Sequence, residues 1–143
     1  MMRRYYEFAV AVILIGVLAL FLLRSLADTR LAMEEATVQS VAAAMRIELV
    51  EVVAHREMVG GVLPSSRNPV DWVTVKPVNY LGQRDTLPDE TSVWYFDTQA
   101  GELVYRFRDQ HRARFRLTRE GGVGQGRAVI AGVGLIRLDD RAE

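Results

Sequence analysis

The chain opens on its longest apolar run. Phe8 to Leu23 reads FAVAVILIGVLALFLL, sixteen residues without a polar side chain. As a helix this run spans roughly 24 Å at about 1.5 Å per residue, short of a hydrocarbon core of about 30 Å. Tyr5 and Tyr6 ahead of it, and Arg24 after it, extend the span as interfacial anchors and a snorkelling cation. Beyond Arg24 the pattern becomes amphipathic. Leu31, Val38, Met45 and Val52 recur every seven residues, with Val41, Ala42 and Leu49 between them and most charged residues off the stripe. No Pro or Gly interrupts residues 24–58, and Gly60-Gly61 followed by Pro64 supplies the stop signal. The pattern predicts one continuous helix from about Arg3 to about Val59, apolar all round in its first half and with one face to bury in its second.

The remainder changes period from helical to alternating. Pro64-Ser65-Ser66-Arg67-Asn68-Pro69 reads as a loop, with Asn68 as cap and Pro69 as first residue of a short helical turn over Val70–Val73. Pro77 to Gly82 reads as extended and irregular. Ser92 to Asp97 reads as a strand, Thr98 to Gly101 as a turn, and Glu102 to Arg108 as its hairpin partner, with Leu103, Tyr105 and Phe107 alternating against Val104, Arg106 and Arg108. Arg112 to Thr118 gives a third strand, Gly121 to Gly126 a flexible connection, and Ala128 to Leu138 a fourth strand. The expected class is α+β: a long N-terminal helix packed on a small antiparallel meander, one sheet face on the helix stripe and one face wet. The expected divisions are 1–24 as transmembrane anchor, 25–60 as the amphipathic half of the same helix, and 61–143 as the sheet region.

Charge and composition narrow the function. Eighteen basic residues balance eighteen acidic ones, so net charge selects no partner. The absence of cysteine excludes a disulfide scaffold, a thiolate metal site and a cysteine nucleophile. His55 falls on the helix and His111 in a turn, neither beside a Ser or a metal-spaced set of acids, and Gly121–Gly126 lacks the residues that would make it a phosphate loop. No catalytic residue, metal, cofactor or small-molecule substrate is expected, and Asp139-Asp140 reads as a solvated end. Arg3 and Arg4 ahead of the apolar run place the N-terminus in the cytoplasm and send the rest outward. Ser25-Leu26-Ala27 also fits a signal peptide cleaved after Ala27, against which stand Glu7, the length of the run and the helical pattern after it. Glu7 reads either as an acid that snorkels to the headgroups or as a charge that meets a neighbouring subunit.

Among the alternating residues, Arg112, Arg114 and Arg116 share one strand face. They read as a candidate surface for an anionic partner or as a solvated outer face that discourages edge pairing. The aromatics alternate onto the opposite face, so the strand offers no stacking platform and nucleic acid is a disfavoured partner.

Glu7, with Gly16 nine residues on within Ile15-Gly16-Val17-Leu18-Ala19, resembles the N-terminus of type IV pilins and type II secretion pseudopilins. The unbroken helix, and the hairpin of Trp94-Tyr95-Phe96-Asp97 with Glu102-Leu103-Val104-Tyr105-Arg106 after Asn79-Tyr80-Leu81-Gly82, look like the helix and globular part of small pilin-like proteins. The family carries a Gly at its peptidase site, where this sequence has Met2 followed by Arg3. It often carries a helix-kinking Pro near the position of Arg24, and a cysteine pair, and both are missing. The resemblance implies a divergent minor or accessory member: a non-enzymatic, single-pass subunit or assembly factor of a pilus or pseudopilus in the bacterial inner membrane. It further implies that Glu7, Phe8 and Gly16 serve subunit assembly. Its partners would be other pilin or pseudopilin subunits and the inner-membrane assembly platform. Two other readings stand beside it: a single-pass envelope binding module using the Arg-rich strand, and a secreted soluble domain after signal cleavage.

Overall fold

Helix α1 runs unbroken from Met2 to Val59 in a computed structural model that describes residues 2–119, 129–130 and 133–138. It ends where the sequence places the stop. Gly60 and Gly61 take φ values of 80° and 133°, and the Gly60 amide donates to the Arg56 carbonyl at 2.9 Å, the left-handed glycine cap of a helix C-terminus. The chain divides into two compact units, residues 1–35 and 36–143.

In the first unit every described side chain from Met2 to Arg30 is exposed. In the second, α1 buries Val38, Ala42, Met45, Leu49 and Val53. The stripe keeps Val38 and Met45 of the heptad but then steps to Val53, leaving Val52 and Val41 half-buried. Ala42 and Val53 stand eleven residues apart, the spacing of a helix at about 3.67 residues per turn, so a straight helix drifts off a strict heptad.

Residues 36–143 add a 3-10 turn and a sheet. The turn, Pro69–Asp71, has Asn68 as N-cap and Pro in its first turn, as the sequence predicts. The buried Asn68 side chain accepts from the Val70 amide at 3.1 Å and donates to the Tyr80 hydroxyl at 2.8 Å. The strands are β1 (Tyr80–Arg84), β2 (Val93–Asp97), β3 (Glu102–Arg106), β4 (Arg112–Thr118), β5 (Val129–Ile130) and β6 (Val133–Leu138), in the order β1-β2-β3-β4-β6-β5.

The sheet is mixed, which corrects the expected antiparallel meander: β1 pairs with β2 in parallel, and all other pairings are antiparallel. Residues 80–84, of which 80–82 belong to the run expected to be extended and irregular, form an edge strand whose register breaks between Tyr80 and Gln83, at Gly82 with φ 87°. Parallel neighbours require the chain to cross over a sheet face rather than turn back along it. Here residues 85–92 make that crossover, and its Pro88 is buried. In place of the single fourth strand expected over Ala128–Leu138 there are two, β5 and β6, paired antiparallel with each other; Ala128, the Gly121–Gly126 connection and Asp139-Asp140 lie outside the described residues.

Register sorts the side chains into two faces. Trp94 stands opposite Tyr105 and Phe96 opposite Leu103; Leu103 opposes Phe115 and Tyr105 opposes Ala113; Leu117 opposes Leu135. This face holds the aromatic core: Trp94 meets Tyr105 at 5.0 Å and Phe115 at 5.7 Å between ring centroids. Phe107, just after β3, meets Tyr105 edge-on at 4.8 Å. The helix is tied to β6 by Arg46, whose Nε donates to the Leu135 carbonyl at 2.9 Å. The opposite face is not simply wet, contrary to expectation, because Tyr95, Glu102 and Val104 on it are buried. On this face Arg106 donates to the Pro88 carbonyl of the crossover, and arginine stems lie along the strands.

Candidate functional site

Two places carry the residues singled out from the sequence. The first is the N-terminal part of α1. It is long and apolar enough to cross a membrane, and no residue of its most apolar eighteen-residue window is buried. A solvated helix with apolar side chains on every face needs a non-aqueous neighbour. Glu7 follows Arg3 by one turn, and its carboxylate lies 3.3 Å from the Arg3 guanidinium, with both side chains exposed. Arg4 and Phe8 are likewise exposed. A Cβ built at Gly16 would meet nothing within 4 Å, so the described residues make no steric demand for glycine there. In a helix interior, glycine costs roughly 0.5–1 kcal/mol relative to alanine.

The second place is the outer face of β3 and β4. The two-residue side-chain period puts Arg112, Arg114 and Arg116 on this one face, as expected. Two of them turn to a carboxylate that the sequence reading passed over. Glu102, 3% exposed, takes Arg116 Nη2 at 2.6 Å and stands 3.8 Å from Arg114 Nη1. Its Oε2 is buried and accepts no hydrogen bond among the described residues. Arg112 instead donates to the Tyr95 hydroxyl. Glu102, Tyr95 and Arg106 were findable only through hairpin register, which sets Phe115 opposite Leu103 and so brings Arg116 level with Glu102.

The histidines sit apart from both places. His55 lines an open cavity of about 630 Å³ with Glu48, Glu51, Arg56, Asp71 and Trp72. His111 stacks on Phe107 at 3.9 Å and pairs with Asp109. Among the described residues no group of three His, Asp or Glu is placed to hold a metal ion.

Burial pushes the Tyr80 hydroxyl above its usual pKa, against the bond from Asn68. Burial likewise pushes Tyr95 up, against the bond and charge of Arg112. Both phenols are neutral in either state below pH 10, so their contribution to stability is fully present there. It is lost as pH rises from the unfolded value of about 10 through the raised folded values, because the unfolded chain releases its protons first. A denaturation series from pH 8 to 11.5 is expected to show falling stability above pH 10, with a shallower fall in Tyr95→Phe.

Compared with known proteins, the chain matches no protein-family model, no curated protein and no solved structure.

Proposed function

We propose that this chain is a non-enzymatic, membrane-anchored structural subunit or assembly factor of a type IV pilus or a type II secretion pseudopilus. In this reading the apolar half of α1 spans the bacterial inner membrane, with Arg3 and Arg4 on the cytoplasmic side and residues 36–143 on the periplasmic side. The same half-helix then leaves lipid for a bundle with the corresponding helices of other subunits, delivered by the inner-membrane platform. One apolar surface serves both environments because lipid tails and packed apolar helices solvate it alike.

The observation that carries the reading is the single helix Met2–Val59, exposed and apolar around its first half and buried along one stripe in its second. The helix passes without a break through Ser25-Leu26-Ala27, which favours a retained anchor over signal cleavage. Glu7 and Gly16 support the reading further. One is an exposed acid at the head of an apolar helix, and the other is a mid-helix glycine that no contact among the described residues explains. In the assembled state Glu7 would exchange Arg3 for a cation of the neighbouring subunit.

The test is Glu7→Ala in cells. The variant is expected to fractionate with membranes at the wild-type level while losing co-purification with other pilin-like subunits by about tenfold, the loss of one charge-assisted contact in a low-dielectric site. Undiminished co-purification would sink the filament reading. A soluble chain whose intact mass begins at Asp28 would sink the anchor as well.

A further inference from the structure

Glu102 divides the arginines of the outer sheet face into two pairs. Arg114 and Arg116 both approach its carboxylate. Arg106 and Arg112 stand directly opposite each other across β3 and β4. At that position Cβ atoms are about 4.5–5.5 Å apart, and like charges are destabilising. The two guanidinium groups are anchored from outside the pair: Arg106 on the Pro88 carbonyl of the crossover and Arg112 on the Tyr95 hydroxyl of β2. Arg106 Nε is buried and has no hydrogen-bond partner among the described residues. Asp97, the acid that ends β2, accepts from the Gln99 and Ala100 amides at 2.9 and 3.1 Å, and its charge also acts on the Tyr95 hydroxyl.

We propose that Arg106 and Arg112, together with the Tyr95 hydroxyl, form a binding site for a phosphate group. A bound anion would turn cross-strand repulsion into attraction, and the anchors already hold both cations on one face, so little ordering remains to be done on binding. The chemistry selects phosphate over carboxylate. A planar carboxylate presents two oxygens, and on this face Glu102 already draws the two arginines, Arg114 and Arg116, that meet one. A tetrahedral oxyanion has oxygens enough for two guanidinium groups and a hydroxyl approaching from different strands. The site is independent of the filament reading and requires only the folded sheet. The same group could arrive as free phosphate or as the headgroup of a phosphate-monoester lipid.

The full chain in neutral detergent, at constant ionic strength, is titrated with inorganic phosphate. In a second series it is titrated with micelles doped with phosphatidic acid. Arg112→Gln is expected to weaken binding by about tenfold or more, Arg112→Lys to recover part of the loss, and Tyr95→Phe to weaken it less. Lys76→Gln, an exposed cation elsewhere on the unit, should leave it unchanged. Arg112-dependent binding of inorganic phosphate identifies the free ion as ligand, and Arg112-dependent binding of the doped micelles alone identifies the headgroup. Absence of binding in both series overturns the proposal. So does binding that Arg112→Gln leaves intact, or that Lys76→Gln reduces equally.

Discussion

Phe115→Ala lowers the unfolding free energy of the 36–143 unit by about 3–5 kcal/mol, the cost of deleting a buried ring and leaving a cavity. Phe115 is 1% exposed. It contacts the Trp94 ring, stands opposite Leu103 on β3 and Arg137 on β6, and carries the Arg137 guanidinium over its face at 6.0 Å. Three neighbouring strands, β2, β3 and β6, therefore lose a partner together, and neighbours held in strand register cannot collapse into the gap. Small domains are stable by only about 5–15 kcal/mol, so the loss moves the denaturation midpoint far down. Both tryptophans of the chain, Trp72 and Trp94, are buried in this unit, so intrinsic tryptophan fluorescence in a urea series reads its unfolding directly. Lys76→Ala, at an exposed position of the same unit, should cost much less, since surface substitutions usually stay within about 0.5 kcal/mol. Equal midpoints for Phe115→Ala and wild type would mean that the aromatic cluster is not the core.

With α1 spanning a membrane as proposed, Ile15→Asp is expected to shift the chain out of the membrane fraction. Ile15 lies at the middle of the Phe8–Leu23 run, where an ionised acid costs roughly 2.5–3.5 kcal/mol in a spanning helix. That corresponds to a change of about a hundredfold in the equilibrium between inserted and uninserted chain. Arg3 offers no relief, because an ion pair along a helix requires a spacing of three or four residues. Fractionation with alkaline extraction measures the effect. Its contrast with Glu7→Ala is informative, since removing an acid at the end of the run eases insertion whereas adding one in the middle opposes it. Unchanged extraction of Ile15→Asp would show that the apolar half-helix is held by something other than lipid.

The helix was legible almost to the residue because it is written twice, in apolar content and in the absence of breakers between Gly16 and Gly60. The hairpin of β2 and β3 was legible from alternation and its turn, and the Asn68-Pro69 cap from local chemistry alone. What escaped was non-local. Tyr80-Leu81-Gly82-Gln83-Arg84 has no alternating pattern, because an edge strand with a register break has no consistent inner face, and nothing in five such residues records a parallel partner. Glu102 read as an ordinary hairpin residue. Its burial goes with its place opposite Asp97 and beside Arg114 and Arg116, partners on neighbouring strands that its own segment does not record. The arginines were placed on the correct face, but their division into a pair on Glu102 and a pair without it required the register of three strands.

The Arg46–Leu135 hydrogen bond spans 89 residues of sequence, which sets a schedule for the chain as it is made. At a synthesis rate of roughly 5–20 residues per second, Arg46 waits roughly 4–18 s for Leu135 to be added. Throughout that interval the stripe of Val38, Ala42, Met45, Leu49 and Val53 has no finished sheet to cover it. A half-made chain is thus an apolar surface in search of a partner, and early capture of its first segment by a lipid bilayer would keep neighbouring nascent chains from finding one another.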